Sequence, residues 1–188
     1  MKWIRTAVLA LCMCGSAQAD DASNELVNFG RTQAAHIAAR ADVIAQVEIQ
    51  NQISAMLSED DIALLDSRWQ QEFGSSDSPL IHRLTNNPLS DALRTMQLSS
   101  NELITEIIIM DNRGLNVAQS SITSDYWQGD EAKWQQTFQL GPGAEHVGEM
   151  KQDDSTGSFQ IQVSRTITDR NGQAIGAVTV GVAPVQFD

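Results

Sequence analysis

The sequence predicts an α+β fold, a long N-terminal helix packed on a five-stranded antiparallel sheet of order 2-1-5-4-3, and three observations predict it. From Asp21 to about Ser58 the chain has no proline, many alanines and only Gly30 as a breaker, a strong helix signal. From Glu102 onward the composition turns β-branched, with turn residues dividing short apolar runs. The first and last of those runs are apolar on both faces, as central strands should be, whereas the second and third read as edges.

In the helical part, Leu26, Phe29, Ile37, Ala41, Ile44 and Val47 fall within about a third of the circumference at 100° per residue, which predicts one amphipathic helix. Past Gln50 the apolar residues Ile53, Met56 and Leu57 move to another face, so a bend or an end is expected there. Residues 59–98 read as shorter helices. "EDDIALLDSRWQQEF" begins with acids where the helix dipole favours them, and "NPLSDALRTMQ" places Pro88 in a first turn. Gly74 to Pro79 is the loop between them.

The strands follow in order. "ELITEIIIMD" is the first, "DNRG" a turn, "LNVAQS" the return, "HVGEMK" a weak edge, "SFQIQVSRTI" a clean alternation, "TDRNG" a turn and "AIGAVTVGVA" the last. Between the second and third strands lies "YWQGDEAKW", aromatic and charged in a chain that is only 5% aromatic. A helix is expected from about Asp130 to Phe138, capped by Asp125 or by Gly129-Asp130, with Trp134 and Phe138 facing the sheet four residues apart.

Residues 1–19 read as a signal peptide: Lys2 and Arg5, an apolar run from Ala7 to Cys14, then Ala17-Gln18-Ala19 as the cleavage site. Cys12 and Cys14 raise lipid anchoring as the alternative, but Leu11 and Met13 before them are bulky where small residues are expected. Release into the periplasm, cut after Ala19, would leave a chain with no cysteine and hence no disulfide or thiol nucleophile. The chain carries 12 basic and 24 acidic residues, and the leader takes two basic and no acidic ones with it. So acidic a surface repels nucleic acid and anionic lipid.

The signal sequence, the long helix, "IIIMDNRGLNVAQS", the polar and aromatic insertion and "VSRTITDRNGQAIGAVTVGV" together resemble the Cache (PDC) family of PAS-like extracytoplasmic sensor domains. The resemblance rests on the turns Asp111–Gly114 and Asp169–Gly172 and on the strand Ile175-Gly176-Ala177-Val178. It implies a helical region over 20–100 and a sheet region over 101–188, forming one Cache domain over 20–188. The chain departs from the family's common architecture in having no second membrane helix and no kinase, cyclase or chemoreceptor module. The resemblance therefore implies ligand binding more than direct signalling.

Motifs for catalysis are missing. There is no phosphate-binding glycine loop, HExxH or GxSxG, and His36, His82 and His146 are scattered. Glu149 with Asp111 would be an acid–base pair without any spacing argument behind it. No cofactor or metal is called for. The candidate ligand-binding residues are Asp125, Tyr126, Trp127, Lys133 and Arg165. Tyr126 and Trp127 precede the capped helix, where the family places its ligand-facing loop. Lys133 reads more readily as a solvated helix residue than as a ligand contact. Arg165 shares a strand face with Phe159, Ile161, Val163 and Ile167; it either extends to water beside an acid or binds a ligand carboxylate from the pocket floor. Tyr126, Trp127 and Arg165 are expected to line one pocket on the insertion side of the sheet.

The functional reading is a non-catalytic periplasmic module that presents a small polar metabolite to a membrane sensor or transporter. The alternative is a structural or interaction protein with a filled core, dimerising through its long helix. That helix would be about 57 Å long, more than one sheet face requires, which favours a homodimer in either case.

Overall fold

The computed structural model describes residues 15–152 and 159–183. Six helices precede and interrupt a six-stranded antiparallel sheet: α1 (Gly15–Ala38), α2 (Ala41–Ser54), α3 (Glu59–Glu72), α4 (Pro79–Thr85), α5 (Pro88–Leu98), β1 (Ile104–Asp111), β2 (Asn116–Gln119), α6 (Ala132–Gln135), β3 (Glu145–Val147), β4 (Lys151–Gln152), β5 (Phe159–Thr168) and β6 (Ala174–Val182). The α+β class is as expected. The sheet path is β2-β1-β6-β5-β3, with β4 pairing on β5 beside β3. The first and last strands are central and β2 and β3 lie at the edges, but the weak third strand is divided into two short pieces, so the sheet has six strands instead of five. The expected signal peptide lies outside the described residues up to position 14, and the backbone of 15–19 belongs to the first turns of α1. Among the described residues, no helix is long and apolar enough to cross a membrane.

The expected single helix is two. Arg40 is extended (φ −70°, ψ 133°), and its guanidinium clasps the Asp42 carboxylate at 2.6 and 3.0 Å. Asp42 also accepts a hydrogen bond from the Val43 amide in the first turn of α2. Neither proline nor glycine marks this break. Tertiary burial makes it: turning at Arg40 returns Val43 and Val47 to the core, both fully hidden, where a straight helix would run on past the sheet. Gly30 does not break α1. A Cβ there would stand 2.8 Å from Val163 Cγ2, so the glycine lets α1 lie close on β5.

α3 carries the capping box that its acidic front suggested, with the Ser58 hydroxyl accepting from the Asp61 amide while the Asp61 carboxylate accepts from the Ser58 amide. The buried Glu72 at its end accepts from the amides of Leu80 and Ile81 at 2.7 and 3.0 Å, and so seats the start of α4, a short helix the sequence reading left unassigned. Pro88 does open α5, where Asn87 accepts from the Ser90 amide.

The two faces of the sheet are covered differently. Ile107 and Ile109 of β1, Val178, Val180 and Val182 of β6, and Ile161, Val163 and Ile167 of β5 meet α1, α2 and α5 in the main core. On the other face Ile108, Met110 and Ala177 meet Trp134 and Phe138 of the insertion. Those two rings stack at 5.2 Å, as their spacing predicted, and the Trp134 indole donates to the Asp111 carbonyl. The helix around them is shorter than expected, one turn of α6 and a 3-10 turn at Phe138–Leu140.

Candidate functional site

The loop leading into α6 is held by α3. Asp66 accepts from the amides of both Tyr126 and Trp127 at 2.9 Å, Trp69 donates to the Thr123 carbonyl, and Gln70 donates to Asp125. Burial pushes the Asp66 carboxyl above its ordinary value, against the pull of those two amides. Tyr126 stacks on Trp69 at 5.8 Å, and the Trp127 indole donates to the Arg113 carbonyl. Arg113 in turn reaches the carbonyls of Ser54 and Leu57 and the Glu59 carboxylate, tying the β1–β2 turn to the end of α2. Gly114 completes the joint. It has φ +82°, and a Cβ on it would stand 2.6 Å from the backbone of Gly129.

The five candidate residues are not brought together. Asp125, Trp127 and Lys133 border a polar chamber of about 360 Å³ between the insertion and β4–β5, with Asp66, Asp130 and Glu131 also in its wall. A second hollow of about 500 Å³, bordered by His146, Glu149 and Gln160, shares Glu131, Lys133, Lys151 and Gln162 with it. Tyr126, only 2% exposed, turns the other way and walls a cavity on the helix side of the sheet. Arg165 stands apart from all three. It lies on the α1 face of β5, paired with Glu145 at 3.6 Å, and Glu145 also holds Arg31 of α1 at 2.6 Å. The expectation that Tyr126, Trp127 and Arg165 line one pocket on the insertion side is thus corrected. Odd-numbered residues of β5 point to α1, and the arginine satisfies its charge with an acid on the neighbouring strand.

Lys133 departs from the solvated reading. It is 8% exposed, and its ammonium lies 3.1 Å from Glu131. Beside it stand side chains that the sequence reading passed over. Gln160 and Gln162 donate to Glu106 at 2.6 and 2.8 Å, the Thr105 hydroxyl contacts Gln160, and Ser164 and Thr179 share a hydrogen bond at 2.9 Å. The alternation of β5 already separates Gln160, Gln162, Ser164 and Thr166 as a polar second row. This row faces the insertion. Of its residues, Gln160 and Gln162 border the second hollow together with Lys133. Among the described residues no group of acids, histidines and cysteines is arranged to hold a metal.

No family model matches the chain, and no curated protein does. Solved structures do. The chain is similar to the sensor domain of the V. cholerae histidine kinase DctB, at 12% identity and a TM-score of 0.39 over 86% of this chain and 57% of that one. It is similar to the E. coli DcuS sensor domain, at 16% identity and 0.40 over 64% and 89%. It is also similar to the ligand-binding domain of the Campylobacter jejuni chemoreceptor Tlp3 in complex with L-valine, at 13% identity and 0.39 over 91% and 64%. These are sensor domains of the Cache, PAS-like kind that the sequence resembles. The likeness is one of fold, and the chain spans less than two thirds of the length of the DctB and Tlp3 domains.

Proposed function

We propose that this protein is an exported, non-catalytic sensor-type module that binds a small polar molecule between the α6 insertion and β5 and presents it to a membrane signalling or transport partner. The observation that carries the reading is Lys133, a nearly hidden ammonium opening onto a polar chamber. Lys133 and Lys151 suit an anionic group, and the wall formed by Asp125, Asp130 and Glu131 suits an ammonium, so a small zwitterion matches both. Trp127 adds an apolar surface at the rim. The test is a thermal-shift screen of amino acids, dicarboxylates and amines, followed by calorimetry on Lys133→Met. A hit whose affinity is unchanged in that variant would remove the chamber from consideration. Export with cleavage after Ala19 is checked by N-terminal sequencing of periplasmic material, where Asp20 is the expected first residue.

An interaction role has one observation in its favour. Ile49 and Ile53 of α2 and Met56 just past its end are 51%, 48% and 78% exposed. A homodimer through the N-terminal helices would cover them. Light scattering at high micromolar concentration decides this, with Ile53→Glu as the variant expected to give a monomer.

A further inference from the structure

The cavity walled by Tyr126 has about 630 Å³ of space and lies between α2, the α3–α5 layer and β2, across the sheet from the insertion chamber. Its size falls in the range of small-molecule sites, about 300–1,000 Å³. Leu57, Leu65, Leu84, Leu89 and Val117 give it an apolar body. Two charged side chains stand at its edge, and they are not equivalent. Asp42 is already neutralised by the two-pronged contact with Arg40. Arg83 forms no ion pair among the described residues, and its charge acts on the Tyr126 phenol. That phenol is held above its usual range, to about 12, chiefly by burial, so it stays protonated and able to donate. Gln50 lines the same wall.

We infer that this cavity is a second binding site, for an amphipathic carboxylate whose apolar body lies against Leu65, Leu84, Leu89 and Val117 and whose head meets the Arg83 guanidinium and the Tyr126 hydroxyl. An apolar chamber favours burial of a hydrocarbon body, and a free guanidinium at its edge selects an anionic head by paired, charge-assisted hydrogen bonds. A cationic head would meet Arg83 unfavourably and find Asp42 engaged. The site stands independently of the insertion chamber, because the two lie on opposite sides of the sheet and share none of their bordering residues.

Calorimetric titration of the full chain with octanoate, octylamine and acetate tests it. Octanoate is expected to bind saturably, and acetate and octylamine at least about tenfold more weakly. Arg83 is exposed, so Arg83→Met should fold as the parent does and bind octanoate about tenfold more weakly. Leu65→Trp, which fills the cavity from a half-buried position, should abolish binding while the melting temperature stays close to that of the parent. Equal binding of octanoate by Arg83→Met and the parent overturns the proposal, as does equal binding of octylamine and octanoate. Loss of octanoate binding in Lys133→Met with retention in Arg83→Met would place the molecule in the insertion chamber and overturn it too.

Discussion

Tyr126 and Trp127 are consecutive in the chain and wall two different cavities, one on each side of the sheet, while both of their amides donate to the single carboxylate of Asp66. One acid on α3 thus sets the position of both rings. The pair arose in the sequence as a single aromatic feature, but an extended segment sends adjacent side chains to opposite sides. Leu115 bridges to Trp127 in that way, so the segment continues the sheet beyond β2.

Arg165→Ala should leave ligand affinity in the insertion chamber unchanged. The side chain is on the α1 face, and its ion pair with Glu145 at 3.6 Å is partly solvated, so its loss should cost no more than about 1 kcal/mol of stability. Thermal shift with and without the bound molecule measures both quantities. A vanished shift would return Arg165 to the site.

That residue also shows where the sequence stops being legible. Its period of two assigned Arg165 correctly to the row of Ile161, Val163 and Ile167, but periodicity does not say which element covers a row. The strand order could be read because strands buried on both faces must be central. The break at Arg40 could not, since no proline or glycine stands there among the alanines and the burial of Val43 and Val47 decides the turn. Gln160 and Gln162 show in the sequence as a polar row, but the alternation does not say that the insertion covers them. The burial of Lys133 is likewise set by the fold and not by its local sequence.

Gly114→Ala should loosen the insertion. With φ +82° the backbone alone costs a Cβ about 1–2 kcal/mol, and the added carbon would stand 2.6 Å from the Gly129 backbone, which has no side-chain freedom to yield. Hydrogen exchange of the 126–131 amides should rise, and binding in the chamber should weaken with it. Unchanged exchange would show that the two glycines need not touch.

Glu72 gives a pH dependence whose sign follows from its contacts. Burial would raise its carboxyl, but the amides of Ile81 and Leu80 and the guanidinium of Arg68 outweigh that and hold it below the usual range. A group with a lowered folded pKa contributes stability above the ordinary glutamate value of about 4.3 and loses it as pH falls through the folded value. Glu72→Gln should therefore melt lower than the parent at pH 7, with the difference narrowing below pH of about 4. Parallel melting curves across that range would show that the carboxylate is not what seats α4.

Trp134→Ala and Trp127→Ala should fail in different ways. Trp134 is 8% exposed, stacked on Phe138, packed against Ile108, Met110 and Ala177, and bonded to the Asp111 carbonyl. Its removal leaves a cavity in the smaller core and should cost about 3–5 kcal/mol. Trp127 is half-buried, lies over Gly129 and borders the chamber, with its indole on the Arg113 carbonyl. Its loss should weaken chamber binding by about 1–3 kcal/mol and lower stability less than the loss of Trp134 does. Denaturant melts of the two variants give the stability order, and calorimetry with the molecule found in the screen gives the affinity order. The assignment requires the two orders to be opposite. If Trp127→Ala binds as tightly as the parent, that ring belongs to the scaffold, and the chamber must be recognised through Lys133 and the β5 amides alone.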